Sequence, residues 1–139
     1  MHHPNPKDVV RRFNAEVIEK GDREAFLALM APDFVNHSAP PGAPNGAEGM
    51  WNTFENVLRP AITKMRVVIE DQVAEGDKVT TRKAIVGILT GVLLGRSPTQ
   101  APLRIEVIDI VRVRNGQYAE HWGINTLPAV LAALTPVGR

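Results

Sequence analysis

An α+β domain is the fold class that the sequence predicts, because the two halves of the chain carry different patterns. Up to Pro60, apolar residues recur at helical spacing, whereas after Pro60 strand-like runs are joined by short turns such as AEGD and RNG. With 139 residues and no repeat or linker, the chain is long enough for one core and too short for two. We therefore expect a single domain over residues 1–139, with three N-terminal helices packed on one face of an antiparallel sheet.

The first two helices are marked by start and stop signals. Asn5 followed by Pro6 is a capping residue before a proline at the first helical position, and Gly21 ends the helix. Asp22 caps a second, short helix, which carries apolar residues as far as Met30 and stops before Pro32.

A third helix follows a loop and is followed by the sheet. DFVNH is typical of a brief strand, and SAPPGAPNG is too rich in proline and glycine to be anything but a loop. Asn45 with Glu48 three residues later resembles a capping box, and the helix that it begins runs to Pro60. Four strands are expected at residues 65–73, 78–90, 103–113 and 117–125, and LPAVLAAL is expected to form a short terminal helix.

Composition excludes several classes of function. The formal net charge is +1 and no basic stripe is present, so nucleic acid is not an expected partner. The chain has no cysteine, which excludes disulfides and thiolate metal sites and fits a reducing cytoplasm. The N-terminus lacks signal-peptide regions, and the longest apolar stretch is shorter than the roughly 20 residues of a membrane span.

The register of the last hairpin is open to two interpretations. A two-residue turn at Asn115-Gly116 would pair Arg114 with Gln117 and place Asp109 opposite Trp122. A three-residue loop would instead place Asp109 opposite His121, and we favour this second register. It gathers Asp109 and His121 on one face with small apolar residues, as the wall of a pocket would.

The other face of this hairpin is mixed in character. In the favoured register it carries the following residues: Ile108, Ile110, Arg112, Tyr118, Glu120, Trp122 and Ile124. Large apolar groups separated by charges are typical of a subunit interface. A monomer would expose them as a large apolar patch, so a homodimer or homotetramer is expected.

Asp109 and His121 are the leading candidates for catalysis. Asp109 lies within the apolar run VIDIV, where an unpaired buried carboxylate would have a raised pKa or cost several kcal/mol. It must therefore be solvated, paired or functional. His121 could orient or protonate Asp109, or hold a substrate oxygen; the alternative for both is a structural pair inside the sheet.

The stretch IDIVRVRNGQYAEHWG resembles the last hairpin of SnoaL-like polyketide cyclases, whose typical form reads IDIFRVxDGKIxEHW. APDFVNHSAPPG and EGDKVTTRKAIVGILTGVLLG resemble two further segments of that family, within the NTF2-like superfamily. The resemblance implies an α+β cone, in which a curved antiparallel sheet encloses a deep pocket and helices close it. It also implies an oligomer built through the outer sheet face.

The resemblance implies a reaction as well. The cyclases close a polyketide ester ring by an intramolecular aldol reaction without metal or organic cofactor, and an aspartate removes a proton from a carbon between carbonyls. Asp109 matches that aspartate. A raised pKa, as expected in an apolar pocket, would bring the carboxylate nearer to the carbon acid that it deprotonates.

One position departs from the family pattern. The family histidine in GTHTG corresponds to Leu89 in GILTG, and leucine cannot donate a hydrogen bond to a substrate carbonyl. Other reactions of the fold therefore stay open: an epoxide hydrolase, isomerase or hydroxylase-like enzyme, or a ligand-binding module without catalysis. An epoxide hydrolase or isomerase would need a further carboxylate or a tyrosine, and the favoured register turns Tyr118 and Glu120 away from the pocket.

Four more residues are candidates for substrate binding alongside Leu89. His37 ends a short strand beside a loop, and Arg82 could bind an oxyanion, although an exposed strand arginine is equally ordinary. Trp51 and Phe54 could form the floor of the pocket, but their helical spacing first indicates core packing. The four histidines, including His2 and His3, show no metal-ligand spacing, and no nucleophile elbow or phosphate loop is present.

Overall fold

A computed structural model describes residues 4–138 of the chain. The helices expected before Pro60 are present. Helix α1 spans Pro6–Arg12 and continues as π-helical Phe13–Glu19; α2 spans Arg23–Leu29; α3 spans Ala47–Asn52 and continues as π-helical Thr53–Leu58; α4 spans Leu127–Ala132. The strands are β1 (Met30–Asn36), β2 (Ile62–Glu75), β3 (Lys78–Leu89), β4 (Pro102–Arg114) and β5 (Gln117–Asn125).

The five strands form one sheet in the order β1-β5-β4-β3-β2. Strands β2 to β5 are antiparallel neighbours, as expected, but β1 pairs with β5 in parallel, so the sheet is mixed rather than wholly antiparallel. Helix α1 contacts β2, β3 and β4, and α2 contacts β5. The α+β class is confirmed, with helices on one face of a sheet that does not close on itself.

Local capping signals act where they were expected, with two corrections at the boundaries. Asn5 Oδ1 accepts a hydrogen bond from the backbone of Lys7, and Asp22 caps α2. Met30 begins β1 instead of ending α2, and Pro32 lies inside this edge strand, where a missing N–H is tolerated. Helix α3 is capped by Gly46 rather than by Asn45.

The last hairpin turns on two residues. Arg114 pairs with Gln117, and the residues between them, Asn115 and Gly116, have φ angles of 53° and 75°. Positive φ at both central positions is the geometry of a type I′ turn. The three-residue loop that we favoured from the sequence is therefore wrong.

A β-bulge next to this turn decides which residues face the helices. The pairing shifts between Arg112 and Val113, and Asp109 consequently lies opposite Gly123 rather than His121. The two-residue turn shifts the pairing by one residue from the favoured register. The bulge adds one residue to β5 and shifts the pairing by one more, so the total offset is two residues. Since side chains alternate with a period of two, Asp109 and His121 still point to the same face.

The two-residue turn corrects the position of Tyr118. Tyr118 pairs with the inward Val113 on the turn side of the bulge, is buried, and stacks on Phe13 with ring centroids 4.2 Å apart. The sequence-based assignment of Tyr118 to the outer face is therefore wrong, because the three-residue loop would have paired it with Arg112. The bulge at Ala119 then keeps Glu120 and Trp122 on the outer face.

Apolar residues divide the sheet into an inner face toward the helices and an outer face. The core includes Phe13 and Val17 from α1, Phe26 from α2, and alternate residues of β3 and β4 such as Ile85 and Val111. On the outer face, Ile108, Ile110 and Ile124 are 45%, 37% and 71% exposed. Among the described residues, no helix is long and apolar enough to cross a membrane.

Candidate functional site

Asp109 occupies the middle of the inner face. It lies on β4 between Thr81 of β3 and Gly123 of β5, and it is only 5% exposed. Because two strands flank it, its carboxylate can reach partners only from neighbouring strands or from the helices above. The identity of those partners decides the chemistry.

His121 is the first partner of Asp109. Its Nε2 lies 3.3 Å from Asp109 Oδ2, and its Nδ1 lies 2.9 Å from Asn36 Oδ1 on β1. The backbone N–H of Ser38 donates to the same Asn36 oxygen, which identifies that atom as the acceptor. Nδ1 of His121 therefore carries a hydrogen, and Nε2 faces Asp109.

Lys83 is the second partner, and the sequence analysis missed it. Its Nζ lies 3.4 Å from Asp109 Oδ2 and donates to Asn14 Oδ1 at 2.6 Å. Asn14 is oriented in turn, because its Nδ2 donates to the carbonyl of Val10 in α1. Lys83 is 5% exposed, so the ammonium and the carboxylate form an ion pair in the interior.

The pKa of Asp109 is lowered, whereas the sequence analysis expected it to be raised. Burial raises the pKa of its carboxyl, but the charge of Lys83, followed by the hydrogen bond and charge of His121, lowers the pKa below 3.8. The expectation of a raised pKa is therefore wrong. Tyr118 behaves oppositely: burial, with a contribution from the negative charge of Asp109, raises its pKa well above 10.0. At neutral pH Asp109 is a carboxylate and Tyr118 a neutral phenol.

One oxygen of the carboxylate has no partner. Asp109 Oδ1 is buried and makes no hydrogen bond with any residue in the described range 4–138. A buried acceptor without a donor costs about 1–3 kcal/mol, so native proteins seldom leave one without a reason. The described residues therefore leave one acceptor of the Asp109 carboxylate unsatisfied.

Gly123 allows the imidazole to approach Asp109. A Cβ atom at this position would lie 2.9 Å from His121 Cε1 and 3.4 Å from Asp109 Cβ. A methyl group there would overlap the ring in its present position. The sequence EHWG thus supplies both the histidine and the space that the histidine occupies.

The other sequence candidates on the helix side lie in the core. Leu89 is fully buried and belongs to the main hydrophobic cluster, so no water-sized space adjoins it. Trp51 and Phe54 are partly exposed: Trp51 packs 5.0 Å from Phe26, and Phe54 meets the Phe13 ring edge-on at 6.1 Å. The expected position of Leu89 in a cavity wall is not observed.

Arg82 and His37 point away from Asp109. Arg82 is exposed on the outer face, where it forms a bidentate pair with Asp71 on β2. His37 contacts Glu120 at 2.8 Å and stacks on the outward ring of Trp122. Their side chains therefore lie away from Asp109 and do not contact it.

A periodicity signal could have identified Lys83. In VTTRKAIV, Lys83 has the parity of Thr81 and Ile85, which face inward, whereas Arg82 has the opposite parity. An inward lysine requires an acidic partner, and Asp109 is the acid on the matching face of β4. Asn14 and Asn36 carry no comparable signal because they lie on separate elements.

Two surface grooves lie near the sheet. One of about 400 Å³ is lined by residues that include Val86 and Arg104, and one of about 270 Å³ by residues that include Arg82, Lys83 and Val107. Neither is lined by Asp109 or His121. Within residues 4–138, no three histidine, aspartate or glutamate side chains gather as a metal site requires; His2 and His3 lie outside this range.

The chain matches a known protein family over most of its length. The family model of the SnoaL-like polyketide cyclases matches residues 8–134. The chain belongs to this family. No curated protein gave a significant match.

Solved structures of related proteins share the fold of this SnoaL-like chain. IdmH from Streptomyces antibioticus, a proposed polyketide cyclase, is 29% identical, with 94% of this chain and 97% of that chain covered and a TM-score of 0.80. A proposed polyketide cyclase from Bacillus cereus ATCC 10987 is 28% identical over 89% of this chain and 78% of that chain, with a TM-score of 0.70. A protein from Catenulispora acidiphila DSM 44928 with a ketosteroid isomerase-like fold is 20% identical over 90% of each chain, with a TM-score of 0.67.

The space at Gly123 leads to a first prediction. Gly123→Ala should displace the His121 ring from Asp109 and destabilise the fold by about 1–3 kcal/mol, as overpacking does. Denaturant unfolding and the imidazole NMR signals of His121 measure the two effects. Gly46→Ser is the control, because nothing lies within 4 Å of a Cβ there and serine suits a helix N-cap. Unchanged His121 signals in Gly123→Ala would contradict the steric argument.

The burial of Leu89 leads to a second prediction. Leu89→His should lower the free energy of unfolding by about 2–5 kcal/mol, because a polar ring would replace packed leucine without a partner. The neighbouring Ile88→His, at a half-buried position of opposite parity, should cost far less. Equal stability of both variants in urea would show that position 89 adjoins a cavity after all.

Proposed function

We propose that this chain is a small-molecule enzyme of the polyketide cyclase type, in which Asp109 acts as general base and then as general acid. The observation that carries the proposal is the buried carboxylate of Asp109, whose Oδ2 is held by His121 and Lys83 while Oδ1 has no partner. A fixed, ionised carboxylate with one free oxygen can take a proton from a bound carbon acid. Family membership supports a small organic substrate.

The proposed reaction closes a ring within one substrate molecule. Asp109 Oδ1 takes a proton from a carbon between two carbonyl groups, and the electron pair of that C–H bond forms an enolate. The enolate carbon then bonds to a second carbonyl carbon of the same molecule, whose oxygen becomes an alkoxide. The alkoxide recovers the proton from Asp109, so the enzyme returns to its starting state without a metal or organic cofactor.

Access to Asp109 is supported by the exposure of its inward neighbours. Val107 lies two residues away on the same face and is partly exposed, and Val67 on β2 is partly exposed as well. The side chain of His121 is 16% exposed. An apolar substrate entering beside these residues would meet His121 first and Asp109 behind it.

Isomerisation is a second candidate, and the inward position of Tyr118 favours it. Tyr118 is near enough for the charge of Asp109 to raise its pKa, with burial as the larger cause, so it stays a hydrogen-bond donor. An aspartate base with a tyrosine donor is a known arrangement for moving a proton next to a carbonyl. The first step, proton removal by Asp109, is the same in both reactions.

We also propose that the protein works as a homodimer in the cytoplasm. The apolar residues Ile108, Ile110 and Ile124 share the outer face with an ordered cluster of Arg112, Glu120 and His37. An exposed apolar patch crossed by paired charges is suited to a two-fold interface. The absence of cysteine suits a reducing compartment.

Asp109→Asn tests the catalytic role. The amide cannot accept the proton, so turnover should fall by about 10²–10⁴. The assay follows α-hydrogen exchange in deuterium oxide and ring closure of aryl 1,5-diketones and keto esters, by NMR and by enone absorbance. Asp71→Asn on the exposed outer face is the matched control and should keep full activity. Equal rates for both variants would contradict the proposal.

The same variant should be less stable, because it leaves Lys83 without its buried counter-charge. Removing one partner of a buried pair costs about 3–5 kcal/mol, whereas Asp109→Asn with Lys83→Met removes both charges and should recover most of that loss. Since the pKa of Asp109 is lowered on folding, its stabilising effect is present at neutral pH and disappears as the pH falls below 3.8. Urea unfolding at pH 7 checks the double-variant comparison.

The dimer is tested by changing its proposed surface. Ile108→Lys with Ile124→Lys should convert a dimer into a monomer, as charges cannot be buried unpaired at an interface. Leu27→Lys, at an exposed apolar residue of α2, should leave the dimer intact. Sedimentation equilibrium at micromolar concentration distinguishes these states, and a monomeric parent protein would contradict the interface.

A further inference from the structure

The buried ion pair has one unused acceptor and one unused donor. Asp109 Oδ1 makes no hydrogen bond within residues 4–138. An ammonium group has three N–H donors, and Lys83 directs two of them at Asn14 Oδ1, 2.6 Å away, and Asp109 Oδ2, 3.4 Å away. The third N–H has no partner among residues 4–138. A free N–H donor can bind a carbonyl oxygen of a ligand. A free carboxylate oxygen beside it can accept the acidic hydrogen next to that carbonyl group.

Lys83 places a positive charge in the interior beside this unpaired oxygen. Its side chain is buried, and its Nζ lies 3.4 Å from Asp109 Oδ2. A ligand group that gains negative charge within reach of Nζ would be attracted to it.

We propose that Lys83 is a second catalytic residue, whose ammonium binds the carbonyl oxygen of the substrate and stabilises the enolate that Asp109 generates. The inference rests on the function proposed above and names the substrate class: a compound with an acidic hydrogen next to a carbonyl, bound through its enol or enolate form. As Oδ1 takes the proton, the C–H electron pair becomes a C=C bond. The carbonyl electron pair then moves to the oxygen that Lys83 holds.

This role accounts for the absence of a histidine at position 89. Leu89 cannot donate to an oxygen, whereas Lys83, on the same strand and the same inward face, can. Donors held in place in a dry site stabilise developing charge strongly, since they need no reorganisation during the reaction. Asn14 is a positioning residue in this scheme, because its amide is fixed by Val10 and holds Nζ in place.

A purely structural ion pair explains less. Buried pairs are often replaceable by apolar residues without loss of stability, so stability alone does not account for a lysine on an inward strand position. A structural pair would also be expected to satisfy both carboxylate oxygens. The free Oδ1 and the spare N–H lie on the same ion pair, which is the arrangement that proton removal beside a carbonyl requires.

Binding of 2-naphthol tests the role of Lys83 independently of turnover. The naphtholate anion resembles an enolate, and its absorption and fluorescence differ from those of the neutral form. The parent protein should bind it as naphtholate at a pH at which free 2-naphthol is neutral. Lys83→Met should weaken this binding by about tenfold or more and return the ligand to its neutral spectrum. Arg82→Met, at the neighbouring outward position, is the control and should behave like the parent.

A second variant covers the case in which Lys83→Met does not fold. Asn14→Leu keeps the ammonium and its carboxylate partner but removes the anchor of Nζ, so naphtholate binding should weaken several-fold. A carbon-13 NMR titration should also show that the pKa of Asp109 rises in Lys83→Met, since burial then acts without the lysine charge. A merely structural anchor would not change the spectrum of the bound naphthol.

The outcomes separate this proposal from the catalytic role of Asp109. If Asp109→Asn abolishes turnover but binds naphtholate more tightly, the anion site is independent of the base and both proposals stand. If Lys83→Met or Asn14→Leu binds naphtholate as the parent does, Lys83 is only a structural partner of Asp109. Failure of the parent protein to bind naphtholate would equally overturn the proposal.

Discussion

A carboxylate buried inside a β-sheet needs compensating groups, and meeting this need connects five elements of the fold. Asp109 on β4 contacts Lys83 on β3 and His121 on β5, and these in turn are held by Asn14 in the helical segment after α1 and Asn36 on β1. An isolated carboxylate in apolar surroundings would cost several kcal/mol or take up a proton. The charge is therefore tolerated only when all five elements are in place, so the site is complete only in the whole fold.

The same constraint determines the chemistry that the site can support. Lys83 and His121 lower the pKa of Asp109, so that its carboxyl group is ionised and able to accept a proton. The lowered pKa also makes it a weaker base than an isolated buried carboxylate. A weak base can remove a proton from carbon only where the resulting negative charge is stabilised. In the proposed reaction the ammonium of Lys83 would supply this stabilisation, so the strength of the base and the charge of its neighbour would be complementary.

The two faces of the sheet have different tasks because alternate residues of each strand point in opposite directions. The inner face holds the polar chain around Asp109 within an otherwise apolar core. The outer face carries exposed isoleucines and surface pairs such as Arg112 with Glu120, where the bond to His37 followed by that to Arg112 lowers the pKa of Glu120. A single bulge near the hairpin turn keeps these two sets separate, since it restores the parity that a two-residue turn alone would have reversed.

Local patterns in the sequence determined the class of fold, the helix starts and the existence of the hairpin, because capping, periodicity and turn chemistry act between residues a few positions apart. The shared face of Asp109 and His121 was expected from a register that is wrong, and it is the bulge in β5 that places both residues on one face. Only the tertiary structure decided that Lys83 is the partner of Asp109 and that Tyr118 faces the core. Lys83 meets Asn14 across 69 positions of the chain, and such contacts depend on how separate elements pack. Tyr118 faces the core because the turn has two residues and pairs it with Val113; both turn lengths were open from the sequence, and the inward Tyr118 stacks on Phe13 from a separate element.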